Sequence, residues 1–349
     1  MTLHFNTPPN HVCLLRLSAI GDTCHTVAVL RALQTAWPQC RFTWIIGTLE
    51  AKLMTTLLPE VEFITFNKRT AGRATVAEIN RLRRALLGER FDLLLHLQLS
   101  LRASLLSWFI DAPIKLGFDR ARARELQSWF TNFKIAAAHR EHVLDSLLGF
   151  VRACGIQTAA PEWRLPLNTP LKQPILVISP CSSHAARNWS ANRYAAVAEY
   201  AVNTYGLKVI LAGGPSAREA QMGNAISKAT RATLINRIGQ DTLPELLNLL
   251  ARSTVLLSPD SGPVHMATMV GLPVIGLYAA TNPARSGPYL SRALCVDKYD
   301  AAARQYLGKP AAALPWSTKI ERPGVMDLIE VDEVNEKLDL LMSELALKS

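Results

Sequence analysis

Four stretches of this 349-residue chain carry residue types at spacings that chemistry can use. In RLSAIGDTCHT (16–26), Asp22 follows Gly21 at the end of an apolar run and precedes a helical pattern. Ligands of open α/β sheets bind outside the carboxyl ends of the strands. A carboxylate there can serve as a general base in a cleft; its other reading is a helix N-cap. The stretch is not G-x-G-x-x-G, so it does not support a dinucleotide cofactor.

In SPDSGPVHMAT (258–268), Asp260, Ser261 and Gly262 separate a strand from a helix, and Pro263 suits the first helical position. Backbone N–H groups and the positive end of the helix dipole make an anion site, with a diphosphate as natural occupant. The bland alternative is a capped helix with nothing bound. His265 faces the same place if the helix N-terminus does, although a lone histidine also suits a core.

In SPCSSHAARNWS (179–190), Ser182 and Ser183 can donate to phosphate oxygens, and Arg187 can neutralise a departing diphosphate. An ordinary surface loop would read the same way. In LAGGPSARE (211–219), Gly213 and Gly214 permit close backbone approach. Glu219 can accept from ribose hydroxyls, or sit solvated on a helix.

Basic clusters form a further group: KRTAGR (68–73), RLRR (81–84) and RARAR (120–124). Clusters of this kind bind phosphates and carboxylates. Lys68, Arg69, Arg73, Arg120 and Arg124 are the candidates, while Arg81, Arg83 and Arg84 read as a solvated helix face. Aromatic residues are not interleaved for base stacking, so nucleic acid is not expected.

The elements that must position these residues follow from the apolar patterning. VCLLRLS (12–18), FTWIIG (42–47), DLLLHLQ (92–98) and APIKLGF (112–118) read as strands, and HVLDSLLGFVRACGI (142–156) as a helix. QTAAPEWRLPLNTPLKQP (157–174) has four prolines and little periodicity, the pattern of a linker. A second series follows, with strands ILVISP (175–180), LKVILAGG (207–214), TVLLSPD (254–260) and LPVIGLY (272–278). Between the first two lies a helix with Ser190 as cap and Gly206 as stop. Near-continuous apolar strands suit parallel sheets covered on both faces. The expected fold class is α/β: two Rossmann-like doubly wound domains facing each other across a cleft. Expected bounds are 1–160 for the first domain, 161–174 for the linker, 175–330 for the second domain and 331–349 for a terminal amphipathic helix.

Composition narrows the partners. The net charge is +10. Residues 1–165 hold 20 Lys and Arg against 13 Asp and Glu, and the remainder holds 18 against 15. An anionic partner is therefore expected at the first half. No two of the six cysteines have C-x-x-C spacing, so neither a zinc site nor a redox motif is indicated. They read as small core residues of a reducing compartment. The start lacks the pattern of a signal peptide, and no run of about 18 apolar residues is present. The expected location is cytoplasmic, peripheral to the inner membrane.

RLSAIGDTCHT, RNWS after a serine-rich strand end, LAGGPSARE, and SPDSGPVHMAT followed by GLPVIGLY resemble the heptosyltransferases of glycosyltransferase family 9. The resemblance runs over nearly the whole chain. LGFDRARARELQSWFTN (116–132) makes it most similar to the heptosyltransferase I type, which adds the first heptose to a phosphorylated Kdo of lipid A. It implies a GT-B fold, with the acceptor on the first domain and ADP-heptose on the second. It implies an inverting displacement with neither metal nor cofactor. By resemblance Asp22 is the general base, Arg187 contacts donor phosphate, and Ser182 and Ser183 steady charge at the reaction centre. Asp260, Ser261 and Gly262 form the donor loop, with His265 and Gly214 beside it, and Glu219 matches a ribose-binding acid. Lys68, Arg69, Arg73, Arg120 and Arg124 grip the acceptor's anionic groups. The partners implied are ADP-heptose, Kdo-lipid A and the inner-leaflet surface. Competing readings are a transferase for a later heptose or another nucleotide sugar, a nucleotide-sugar epimerase, and a non-catalytic binding protein. An epimerase cleft would not need the basic clusters, and the pairing of Asp22 with Arg187 speaks against a silent binder.

Overall fold

The computed structural model describes all residues except Met1, Thr2, His4, Arg69, Ala71, Ala159, 168–172, Lys348 and Ser349. The chain divides into two compact units, Met1–Pro166 and Leu167–Ser349. The first contains β1 (His11–Leu15), β2 (Arg41–Gly47), β3 (Glu62–Phe66), β4 (Leu93–His96), β5 (Ile114–Gly117) and β6 (Phe133–Lys134). The second contains β7 (Ile175–Ile178), β8 (Lys208–Leu211), β9 (Leu234–Asn236), β10 (Val255–Pro259), β11 (Val274–Tyr278) and β12 (Val296–Asp297).

The two sheets repeat one design. Their orders are β3-β2-β1-β4-β5-β6 and β12-β11-β10-β7-β8-β9, with every pairing parallel. Counted from its own first strand, each reads 3-2-1-4-5-6, the doubly wound order whose direction of winding reverses between strands one and four. The reversal falls between β1 and β4 in the first unit and between β7 and β10 in the second. The central strands β1, β4, β7, β10 and β11 are buried along their whole length. That explains their unbroken apolar runs, since helices cover both faces.

Edge strands are different. β6, β9 and β12 are two or three residues long and only partly buried, and β3 begins exposed. None of these four is among the strands expected from sequence. Strands of two or three residues are too short for periodicity to register, and β3 alternates, with Ile64 and Phe66 buried, without the unbroken apolar run of the central strands.

Boundaries shift in two informative places. The helix after β1 spans Ile20–Ala36, so Asp22 is its third residue and not the residue before it. The proline-rich stretch also starts as packed structure. Trp163 is buried, its Nε1 donates to the Cys24 carbonyl at 2.8 Å, and Arg31 Nε donates to the Trp163 carbonyl at 3.2 Å. The first unit accordingly extends to Pro166. Five of the six cysteines are buried, Cys40 is partly exposed, and none is in a disulfide.

The terminal helix Val331–Ala346 belongs to the core of the second unit. It buries Val334, Leu338 and Leu341 in the cluster that holds Trp189, Tyr194 and Val197 of the opposing segment. Its Asp339 accepts from the hydroxyls of Tyr200 and Tyr205 at 2.8 and 2.7 Å. Leu338→Ala should therefore destabilise the second unit by about 2–5 kcal/mol, the range for a buried leucine whose cavity does not collapse. A denaturation midpoint unmoved from that of the parent chain would show the helix to be an appendage.

Candidate active site

Each sheet gathers its chemistry at the carboxyl ends flanking the winding reversal. In the first unit the chain leaves β1 through Arg16, a buried guanidinium. The register places Leu15 beside both Ile45 and His96, so Arg16 emerges between β2 and β4. Its Nη1 donates to the Leu97 carbonyl, and its Nη2 pairs with Asp22. Trp44 Nε1 fixes the Arg16 carbonyl at 3.1 Å. The Asp22 carboxylate also accepts the Ala19 amide at 3.4 Å, reaching back over the helix start as the third residue of a capping arrangement does. It is 32% exposed, so it is held from the protein side yet open to solvent.

Two glutamines hold the loops around this pair. Gln98 Oε1 accepts the amides of Leu17 and Ser18 at 2.6 and 3.1 Å. Gln127, fully buried, accepts the Phe118 amide at 3.0 Å and donates to the His96 carbonyl at 2.8 Å. It also approaches His96 Nδ1 at 2.9 Å. Burial pushes the His96 imidazole down to about 4, so it is neutral near pH 7. Sequence reading did not select Arg16, Gln98 or Gln127. Arg16 follows β1 directly and Gln98 comes two residues after β4, and polar residues at strand ends are the signal that could have found them.

The basic candidates separate by partner. Lys68 Nζ lies 2.5 Å from Glu50 Oε1, and that carboxylate is buried, so the lysine charge is compensated. Arg69 lies outside the described residues. Arg73 opens the Arg73–Ala85 helix and is exposed. Arg120 and Arg124 are exposed, and neither is in an ion pair among the described residues. The intervening Arg122 is a structural clamp. It pairs with Asp119 and with Glu141 at 3.0 Å and donates to the Ala136 carbonyl at 2.7 Å. Arg81 pairs with Glu78 at 2.7 Å, and Arg83 lies over the Phe109 ring at 5.3 Å.

In the second unit, Arg187 is buried after β7 and makes three charged hydrogen bonds. Nε and Nη2 donate to Glu321 Oε1 at 3.0 and 2.7 Å, and Nη1 donates to Asp260 Oδ2 at 3.2 Å. His184 Nδ1 lies 3.3 Å from the other Glu321 oxygen. Burial raises the Glu321 carboxyl, but the Arg187 hydrogen bond and charge outweigh this, with His184 and Lys319, and the net shift is downward. Glu321 is a residue that sequence reading missed. It lies 134 positions from Arg187 in a loop with no motif.

The remaining donor-loop candidates surround this cluster. Ser261 starts the Gly262–Met269 helix, but its hydroxyl meets Ser258 Oγ at 2.8 Å and does not cap the first turn. Ser258 Oγ in turn donates to the Ser179 carbonyl at 2.9 Å, tying the ends of β10 and β7 together. His265 is buried in the same helix. Ser182 is buried, with its amide on Asn188 Oδ1 at 2.7 Å and its carbonyl accepting from Arg218 Nη2 at 2.7 Å. Ser183 is exposed. Glu219 Oε2 accepts the Gly214 amide at 2.5 Å, and the Glu219 amide donates to the Ser216 hydroxyl at 3.3 Å. A Cβ on Gly213 would lie 2.5 Å from that carboxylate, so this glycine is required by the approach of Glu219 itself. Among the described residues no group of three or more His, Cys, Asp or Glu could hold a metal ion.

Two repeated doubly wound units, each with a charged cluster at its winding reversal, have the architecture of the GT-B fold. The chain belongs to glycosyltransferase family 9 (heptosyltransferase), whose family model matches residues 79–317. It is 37% identical over 340 residues to the lipopolysaccharide core heptosyltransferase OpsX of Haemophilus influenzae, covering 95% of this chain and 96% of that one. It is 24% identical over 293 residues to lipopolysaccharide heptosyltransferase 1 of Salmonella typhimurium, covering 80% and 91%. Its fold matches the solved structure of the E. coli heptosyltransferase WaaC with ADP, at a TM-score of 0.75 and 17% identity, over 95% and 99% of the two chains.

Because the folded Glu321 carboxyl is depressed, its contribution to stability is present above its unfolded value, near 4.5, and is lost as pH falls through the lower folded one. The stability difference between the parent and Glu321→Gln should be largest near neutrality and should shrink below about pH 4.5. Denaturation midpoints across that range test this. A difference independent of pH would mean that Glu321 acts by shape and not by charge.

Proposed function

We propose that this glycosyltransferase moves a heptose from ADP-L-glycero-D-manno-heptose to a phosphorylated Kdo of the lipopolysaccharide inner core, working at the membrane surface. The observation that carries the substrate class is the 37% identity to a lipopolysaccharide core heptosyltransferase over 95% of the chain. The choice of the Kdo step is supported by the exposed Arg73, Arg120 and Arg124 of the first unit, which suit an acceptor bearing phosphate and carboxylates.

In this reading Asp22 is the general base. The acceptor hydroxyl oxygen attacks the anomeric carbon of the heptose, and its proton passes to the Asp22 carboxylate. The bond from the anomeric carbon to the diphosphate oxygen breaks, and ADP leaves from the face opposite the attack, so the configuration inverts. Arg16 and the Ala19 amide orient the base from behind. Charge developing on the diphosphate is met by the first-turn amides beside Ser261 and Gly262, by Ser182 and Ser183, and by Arg187. Asp260 lies near the sugar, His265 and Gly214 flank the donor, and Glu219 takes the ribose.

Asp22→Asn keeps an oxygen for Arg16 and for the Ala19 amide, so the fold and donor binding should persist. Turnover should fall by at least about 100-fold, the scale of a lost general base. The assay is ADP release with ADP-heptose and Kdo-lipid A, and near-normal turnover would remove Asp22 from this role. Arg187→Ala should lose more activity than Arg187→Lys, since lysine preserves the charge although not the fork. Equal losses would make the guanidinium geometry the decisive feature.

A further inference from the structure

The first unit exposes Leu49, Val76 and Leu87 apart from one another in sequence, and five further large apolar side chains on two adjoining segments. Leu101, Leu105 and Trp108 follow one another at helical spacings of four and three along the Leu101–Ser107 helix and its cap, and all three are exposed. Leu126 and Trp129, on the neighbouring Gln127–Phe130 turn, are exposed as well. Trp108 is 74% exposed and Trp129 81%.

The two segments form one surface. Ser104 Oγ donates to the Glu125 carbonyl at 2.9 Å, and the Trp108 and Phe130 rings meet edge to face at 6.3 Å. Glu125 and Leu126 both take positive φ, 53° and 60°, a conformation that side chains rarely adopt. A soluble surface seldom gathers two tryptophans and three leucines without an occupant.

The charge around the patch indicates which occupant fits. Arg102 lies within the first segment, with its Nη1 on the Lys68 carbonyl, Arg120 and Arg124 precede the second, and all three are exposed. Among the described residues no carboxylate pairs with Arg120 or Arg124, while the intervening Arg122 is fully engaged by Asp119 and Glu141. Tryptophan seats at the boundary between acyl chains and headgroups, and arginine is attracted to anionic headgroups. Apolar anchors with a basic border are the pattern of a surface that enters one leaflet without crossing it.

We propose that Leu101, Leu105, Trp108, Leu126 and Trp129 insert into an anionic lipid bilayer, whose negative surface potential attracts the charge of Arg102, Arg120 and Arg124 without taking the last two from the acceptor. The choice of a bilayer rests on the proposed acceptor being a membrane glycolipid. The insertion fixes the first unit by its Leu101–Ser107 and Gln127–Phe130 segments, the second of which carries the Gln127 that braces the ends of β4 and β5. The unit that would take the acceptor thus meets the lipid through elements bonded directly to its own site loops.

The test uses the full chain and vesicles of phosphatidylcholine with roughly one-third phosphatidylglycerol, so that a negative surface potential is present. The parent should sediment with these vesicles far better than with pure phosphatidylcholine, and less well at high salt. Trp108→Ala/Trp129→Ala should lower the partition coefficient by at least about tenfold. Brominated acyl chains should quench the parent's fluorescence and leave that of the double variant nearly unchanged, because Trp37, Trp44, Trp163 and Trp189 are buried and the partly buried Trp316 belongs to the second unit. Turnover on a soluble, deacylated acceptor should be the same for both proteins. Unchanged partition, absent quenching or equal binding to neutral vesicles would overturn the proposal. So would a concentration-dependent mass without lipid that the substitutions abolish, which would assign the patch to a second copy. Vesicle binding is read without any transfer reaction, so failure of the proposed chemistry would leave this result standing and distinct.

Discussion

A guanidinium buried at the carboxyl end of a strand needs oxygen partners from the protein for its charge, and both units are organised around that requirement. Removing such a charge from water costs several kcal/mol unless carboxylates and carbonyls replace the lost hydration. Arg16 meets it with Asp22 and the Leu97 carbonyl, and Arg187 with Glu321 and Asp260. In each unit this recruits partners from the strand on the far side of the winding reversal. Leu97 follows β4, and Asp260 follows β10. The arginines thereby fix how the loops of strands one and four lie side by side, which is where a doubly wound sheet offers its ligand site.

The fold was legible in the sequence wherever burial on both faces left a mark. The β1, β2, β4, β5, β7, β8, β10 and β11 runs are apolar because helices cover them, and the order of strand, loop and helix follows from their spacing. What escaped was the periphery. β6, β9 and β12 are too short to show a period, and β3 alternates over five residues without an unbroken apolar run. The terminal helix was legible as amphipathic, but its place in the core depends on Trp189 and Tyr194, more than 130 residues earlier.

The candidate site divides along the same line. Asp22, Asp260 and Arg187 stand just beyond strand ends whose local pattern picks them out, although Asp22 falls inside the following helix and not before it. Their partners were not. Arg187 finds Glu321 across 134 positions, Gln98 holds a loop about 80 positions away, and Gln127 reaches back to His96 across 31. Each is a tertiary contact between a motif and a residue of unremarkable setting, and one sequence carries no trace of such pairs. The basic clusters show the opposite error. Lys68 reads like its neighbours, yet it pairs with Glu50 of its own unit, while Arg73, Arg120 and Arg124 are exposed.

The charge balance around Arg187 constrains how a diphosphate can be held in the proposed reaction. One guanidinium faces two carboxylates, so the cluster is already compensated before any anion arrives. An incoming diphosphate therefore cannot depend on Arg187 for net positive charge. Its stabilisation must come first from neutral donors, the first-turn amides of the Gly262–Met269 helix, which the Ser261 side chain leaves uncapped, and the hydroxyls of Ser182 and Ser183. Arg187 can still contribute if one of its bonds yields. The 3.2 Å bond from Nη1 to Asp260 is the longer, while Nε and Nη2 share one Glu321 oxygen at 3.0 and 2.7 Å. Exchange of the Asp260 contact for a phosphate oxygen would keep Arg187 anchored by Glu321 and would free the Asp260 carboxylate for the sugar. In the proposed reaction that division would give Glu321 the holding role and Arg187 and Asp260 the ligand-facing roles.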